Sequence, residues 1–184
     1  MIKNLIASFI LILLIASACN TGNKDNANKT TIDTVKVTVL SFLTQADSLV
    51  EKPVLIEGTV LHTCKHGGKR MFLVDGNDSV SVEITTGPTI TKFDENLVGS
   101  RVRVTGILKE ERIDTKFLNE WENEIQKPEA SHNVGVHTGA KGHEDQTASD
   151  KLDQIKALRE DLKNSGKDHL SNFSIEASKF EEIK

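Results

Sequence analysis

The stretch from Pro53 to Leu108 constrains the fold most. Apolar and polar residues alternate there in separate runs, and alternation at a period of two marks a half-buried β-strand. In the first run, PVLIEGTVLHTC (residues 53–64), Val54, Ile56, Gly58, Val60, His62 and Cys64 share one face of a regular strand. Gly58 sits inside that run, where a glycine marks a bend or bulge at which the facing can change. His66-Gly67-Gly68-Lys69 reads as a hairpin, with Gly67-Gly68 as a two-residue primed turn into a second strand over 69–74. Asp75-Gly76-Asn77-Asp78 is a further turn. Val80, Val82 and Ile84 alternate next, and Gly87-Pro88 ends that strand. A short helical piece within 90–98 precedes a last alternation of Val102, Val104, Gly106 and Leu108.

Flanking segments complete the pattern. Val35, Val37 and Val39 suggest a short strand, and Thr44-Gln-Ala-Asp47 resembles a capping box for a helix reaching about Val50. Phe117, Leu118, Trp121 and Ile125 lie at helical spacing within 114–126. Residues 129–147 are poor in apolar residues and hold His132, His137 and His143. Leu152, Ile155, Leu158 and Leu162 form the stripe of a second helix over 150–164, with Ser149 at its start and Gly166 where a C′ residue belongs. Residues 168–180 fit a helix or a strand. The strand is preferred, because Ser171, Ser174 and Ser178 weaken a helix and the barrel is otherwise one strand short. The expected fold is mainly β with helical additions: an OB-fold, the five-stranded Greek-key barrel, with a helical insertion before its last strand. Strands one to four occupy 34–112, the insertion 113–166 and the closing strand 167–184.

The N-terminus reads differently. Lys3 precedes an apolar run from Leu5 to Ile15, followed by Ala16-Ser-Ala-Cys19. The run has the length of a signal-peptide core and is short for a membrane span. A small-residue triplet ending in cysteine resembles the lipobox of bacterial lipoproteins, which are cut before the cysteine and acylated on it. Residues 1–18 are then a signal peptide, Cys19 carries the lipid, and residues 19–33 tether the domain to the membrane. Acyl chains contribute about 0.8 kcal/mol per buried CH₂, so several anchor stably. The expected location is extracytoplasmic, on a bacterial membrane and by preference the outer one. Cleavage removes one basic residue, Lys3, and no acidic one, taking the formal charge from −4 to −5. It also leaves Cys64 as the single thiol.

Residues 35–112 are similar to OB-fold lipoproteins of the Bacteroides group and to periplasmic OB-fold proteins of Gram-negative bacteria. The stretches VLIEGTVLHTCKHGGKRMFLVDG, VSVEI and LVGSRVRVTGIL carry the resemblance, most specifically HTCKHGGKRMFL. It implies a fold and a location and no reaction, since this fold hosts many functions.

One constellation carries chemistry. His62, Cys64 and His66 alternate along a strand and can point one way. A two-residue turn at Gly67-Gly68 sets Cys64 opposite Met71, which adds a thioether to two imidazoles and a thiolate. Such a set suits copper, and imidazole with thiolate suits zinc or iron. The ligand types resemble those of cupredoxins, on a different fold. A heme role rests on analogy with an OB-fold heme chaperone. The competing reading is structural, with Cys64 as a small buried hydrophobe and Met71 as core. A third makes Cys64 a reactive thiol beside His62, Lys65 and His66, though no second cysteine offers a redox couple. His132, His137 and His143 are candidate accessory ligands.

Lys65, Lys69 and Arg70 form a basic hairpin tip that could border a ligand face. The acidic balance and an aromatic content of 4% argue against single-strand nucleic-acid binding, which needs cations and stacking rings. No phosphate-binding glycine loop, GxSxG, HExxH or catalytic carboxylate pair is present. The first expectation is a non-enzymatic envelope lipoprotein for metal or heme handling; the second is a module that docks an envelope protein or a glycan.

Overall fold

The computed structural model describes residues 33–65, 67–127 and 147–183. The signal-peptide reading, Cys19, His66, His132, His137 and His143 lie outside the described residues.

Among the described residues the alternating runs form six strands: β1 (Val35–Thr38), β2 (Pro53–Thr63), β3 (Arg70–Asp75), β4 (Asn77–Thr86), β5 (Arg101–Asp114) and β6 (His169–Glu182). The sheet order is β1-β2-β3-β4-β6-β5, and an added β2–β5 pairing closes strands β2 to β6 into a barrel. Strands β4 and β6 run parallel and the other barrel neighbours antiparallel. This is the OB-fold, a five-stranded Greek-key barrel. Strand β1 adds in parallel to the first half of β2, pairing Val35 with Val54 and Thr38 with Glu57.

Among the described residues three helices accompany the barrel: α1 (Val39–Leu49), α2 (Thr115–Ile125) and α3 (Ala148–Ser165). The first begins earlier than its sequence suggests. Thr38 and Ser41 make a reciprocal capping box, so Val39 is already helical and Thr44 lies mid-helix. Val39, Phe42, Ala46 and Leu49 then form a buried stripe at spacings of three and four. The piece expected within 90–98 is a single 3₁₀ turn, Glu95–Leu97. Thr147 caps α3 in place of Ser149, and Gly166 ends it in the left-handed conformation at φ 66°. Of residues 168–180 all but Asp168 are strand, which runs on to Glu182. Their partner is the long β5, which gains thirteen register pairs with β6 from Val102↔Glu182 to Asp114↔His169.

Two cores result. Val54, Ile56, Val60, Met71, Leu73, Val82, Ile84, Val102, Val104 and Ile175 fill the barrel with the α1 stripe. Leu118, Trp121, Ile125, Ile155 and Leu162 join α2 to α3 over Ile113 at the far end of β5. Each large aliphatic side chain buried this way contributes roughly 1.5–3 kcal/mol. Gly106 is required by close approach, because a Cβ there would fall on the Glu176 carbonyl oxygen and within 2.7 Å of Ile175 Cγ2.

Candidate ligand face and hairpin

The strand face that carries His62 is decided by a bulge. The β2–β3 register slips between Val60 and His62, leaving Leu61 as the extra residue. Before the bulge Val54, Ile56, Gly58 and Val60 face the core. After it Thr63 turns inward, 6% exposed, and His62 turns outward. The facing change anticipated at Gly58 therefore falls three residues later.

A cross-strand row lies on the outward face. His62 pairs with Phe72, Phe72 with Glu83 and Glu83 with Ser174. The His62 and Phe72 rings stack at 4.6 Å between centroids and 19° between planes. Phe72 belongs to neither core, yet it is only 3% exposed. Arg70 reaches diagonally to Glu83, with Nε donating to Oε1 at 2.8 Å. Burial pushes the Glu83 carboxyl up to about 7; the Arg70 charge opposes this and Glu111 adds to it. A buried carboxylate held by one guanidinium, beside a stacked ring pair, is the main electrostatic feature of this face. Arg70 itself is one-third exposed and keeps donors for a ligand.

The hairpin is longer than a two-residue turn. Cys64 N–H donates to Arg70 C=O at 2.9 Å, Gly68 N–H to Cys64 C=O at 3.1 Å and Gly67 N–H to Lys65 C=O at 3.2 Å. Gly67 and Gly68 both have positive φ, as foreseen, but they close a wider loop. The loop is stapled to the segment before the 3₁₀ turn, where Phe93 N–H donates to Gly68 C=O at 2.8 Å. Lys69 Nζ donates to Thr91 C=O at 2.7 Å. Cys64, Lys65, Gly68, Lys92, Asp94 and Asn96 border an open depression of about 440 Å³ between loop and segment.

This register corrects the metal constellation. Met71 pairs with Thr63, not Cys64, and is fully buried inside the barrel. One residue of slip reverses a side chain's face, so Met71 cannot join an outward site. His62 and Cys64 keep the same parity past the bulge, His62 against Phe72 and Cys64 against Arg70 through its backbone. Cys64 is half-buried and in no disulfide among the described residues. Among the described residues no three His, Cys, Asp or Glu side chains are gathered as a metal ion needs. The basic tip is also divided: Arg70 serves Glu83 and Lys69 serves Thr91, while Lys65 stays exposed. The role of Glu83 was hidden in the sequence, because an acidic residue alternating with Val82 and Ile84 reads as a solvated position.

The strand order and register define an OB-fold domain. No protein-family model and no curated protein matches the chain. Among solved structures it is similar to a putative aspartyl-tRNA synthetase from Leishmania major Friedlin, at 16% identity and a TM-score of 0.41, over 84% of this chain and 22% of that one. It is also similar to the aspartyl tRNA synthetase from Entamoeba histolytica, at 15% identity and a TM-score of 0.31, over 78% of this chain and 40% of that one. The chain thus spans less than half the length of either structure.

Proposed function

We propose that the chain is an envelope lipoprotein whose OB barrel is a non-catalytic binding module, and that its ligand is an envelope glycan. The observation that carries this is the outward row on β2, β3 and β4, where the partly exposed Arg70 and His62 rest on the buried Glu83 and Phe72. Glycan recognition combines a flat ring with planar polar groups, and OB barrels take oligosaccharides on this strand face. Binding of the full chain to an array of bacterial envelope glycans, followed by titration calorimetry, tests the reading. Arg70→Gln is expected to weaken a retained glycan about tenfold, the loss of one charge-assisted contact. Retention of no glycan, or an affinity untouched by Arg70→Gln, would overturn it.

A second reading, binding of copper, zinc, iron or heme, is favoured by the shared parity of His62 and Cys64. His66 and the accessory His132, His137 and His143 would supply the remaining ligands. Elemental analysis of protein purified without a histidine tag tests it, with loss of the metal in Cys64→Ser as the expected result. Lipidation is tested separately: palmitate labelling should vanish in Cys19→Ala. Partners are the membrane, through that lipid, and the bound glycan or an envelope protein.

A further inference from the structure

A second site lies at the far end of the molecule from the hairpin in chain terms, where α2 begins and α3 ends. Arg159, Leu162, Lys163, Lys167 and Asp168 border a depression of about 550 Å³, closed by Thr115 and Gly166. Arg159, Leu162, Lys163 and Gly166 share one helix face by their spacing. The left-handed turn at Gly166 brings the chain around, so that Lys167 borders the same space.

The charges there do not balance. Arg159 Nη2 is held by Asn119 Oδ1 and Glu122 Oε2, both at 2.8 Å, which leaves Nε and Nη1 outside those two bonds. Lys163 and Lys167 form no ion pair among the described residues. Asp168 lines the same depression as an exposed carboxylate whose Oδ1 meets His169 Nδ1 at 2.6 Å, and Asp114 accepts from Phe117 N–H at 2.8 Å. In a chain of net charge −4, this concave surface sets Lys163 and Lys167, neither in an ion pair among the described residues, against the single carboxylate of Asp168, while Arg159 is balanced by Glu122; one positive charge is left over. Guanidinium and ammonium groups together suit an anion of several oxygens, and the Thr115 hydroxyl adds a neutral donor.

We propose that this depression is an anion site that takes a phosphate group, with Arg159, Lys163 and Lys167 as its cations. It shares no residue with the barrel face and stands independently of the glycan reading. Its phosphate could be a free anion or the headgroup of a phospholipid, which share this chemistry. The test is calorimetric titration of the full chain, in neutral detergent, with inorganic phosphate and separately with glycerol 3-phosphate. Saturable binding is expected, weakened tenfold or more in Lys163→Gln/Lys167→Gln and unchanged in Lys36→Gln. Tighter binding of glycerol 3-phosphate assigns the headgroup source, and tighter binding of inorganic phosphate the free anion. Both lysines are exposed, so the double variant should melt like the parent, and its melting curve is recorded alongside. No saturable heat with either probe, or equal affinity in the double variant, overturns the proposal.

Discussion

Arg70 and Glu83 meet diagonally across the β3–β4 ladder at 2.8 Å, and the Glu83 side chain is only 9% exposed. Arg70 lies opposite Thr85 and Glu83 opposite Phe72, so the pair closes over the outward side of the ladder. Burial outweighs the guanidinium: the Glu83 carboxyl moves from 4.5 to about 7. Between those values the folded chain holds a proton that the unfolded chain has released. Stability from this group is therefore full below about 4.5 and falls as pH rises through 7, by up to about 3 kcal/mol. Glu83→Gln removes the titration. Urea unfolding from acid to mildly alkaline pH should show the parent losing stability relative to Glu83→Gln; a gap that stays constant with pH contradicts the assignment.

Removing only the cation should do more harm than removing both charges. Arg70→Met leaves a buried carboxylate without its ion-pair partner and is expected to cost about 3 kcal/mol at alkaline pH. Arg70→Met/Glu83→Leu should regain most of that loss, since no buried charge remains. Denaturant midpoints of the two variants decide it; a double variant less stable than Arg70→Met refutes the argument.

Met71 discriminates between the expected and observed registers. Inside the barrel it has no path to a ligand shared with His62 and Cys64. Met71→Leu is a near-isosteric core change costing under about 1.5 kcal/mol. Copper(I) and zinc titrations of Met71→Leu and the parent should therefore coincide, whatever affinity the parent has. A weakening of copper(I) binding in Met71→Leu would contradict the inward placement.

The barrel was legible because its signal is repetitive. Val54, Ile56 and Val60, then Val102, Val104 and Leu108, state the inner face at a period of two, and that pattern tolerates errors at the ends. The closing strand followed from counting strands, since its own residues allowed two periods. The candidate site was less legible, because it turns on one inserted residue. Leu61 looks like any strand residue, yet as a bulge it sends His62 outward and Thr63 inward. The two-residue turn failed for a related reason. Gly67-Gly68 supplied the positive φ that such a turn needs, but Phe93 N–H and Lys69 Nζ draw the loop to a segment more than twenty residues away. Tertiary hydrogen bonds of this range leave no local trace.

Those same bonds separate the two hairpin glycines. Both have positive φ, 87° at Gly67 and 60° at Gly68, which costs an alanine roughly 1–2 kcal/mol. At Gly67 a Cβ meets only Lys69 Cγ at 3.9 Å, an ordinary contact. At Gly68 it would stand 2.6 Å from Phe93 C=O and 3.2 Å from Lys92 Cβ. Gly68→Ala must therefore lift the loop off the 91–93 segment and strain the Phe93–Gly68 hydrogen bond. Gly67→Ala is expected to lower Tm by about 2–8 °C and Gly68→Ala by clearly more, at roughly 2–4 °C per kcal/mol. Gly68→Ala should also raise amide exchange at Phe93, whose N–H donates to Gly68 C=O, while Gly67→Ala should leave it protected. Equal melting losses in the two variants would show that Gly68 is chosen for its φ alone and that the staple contributes nothing.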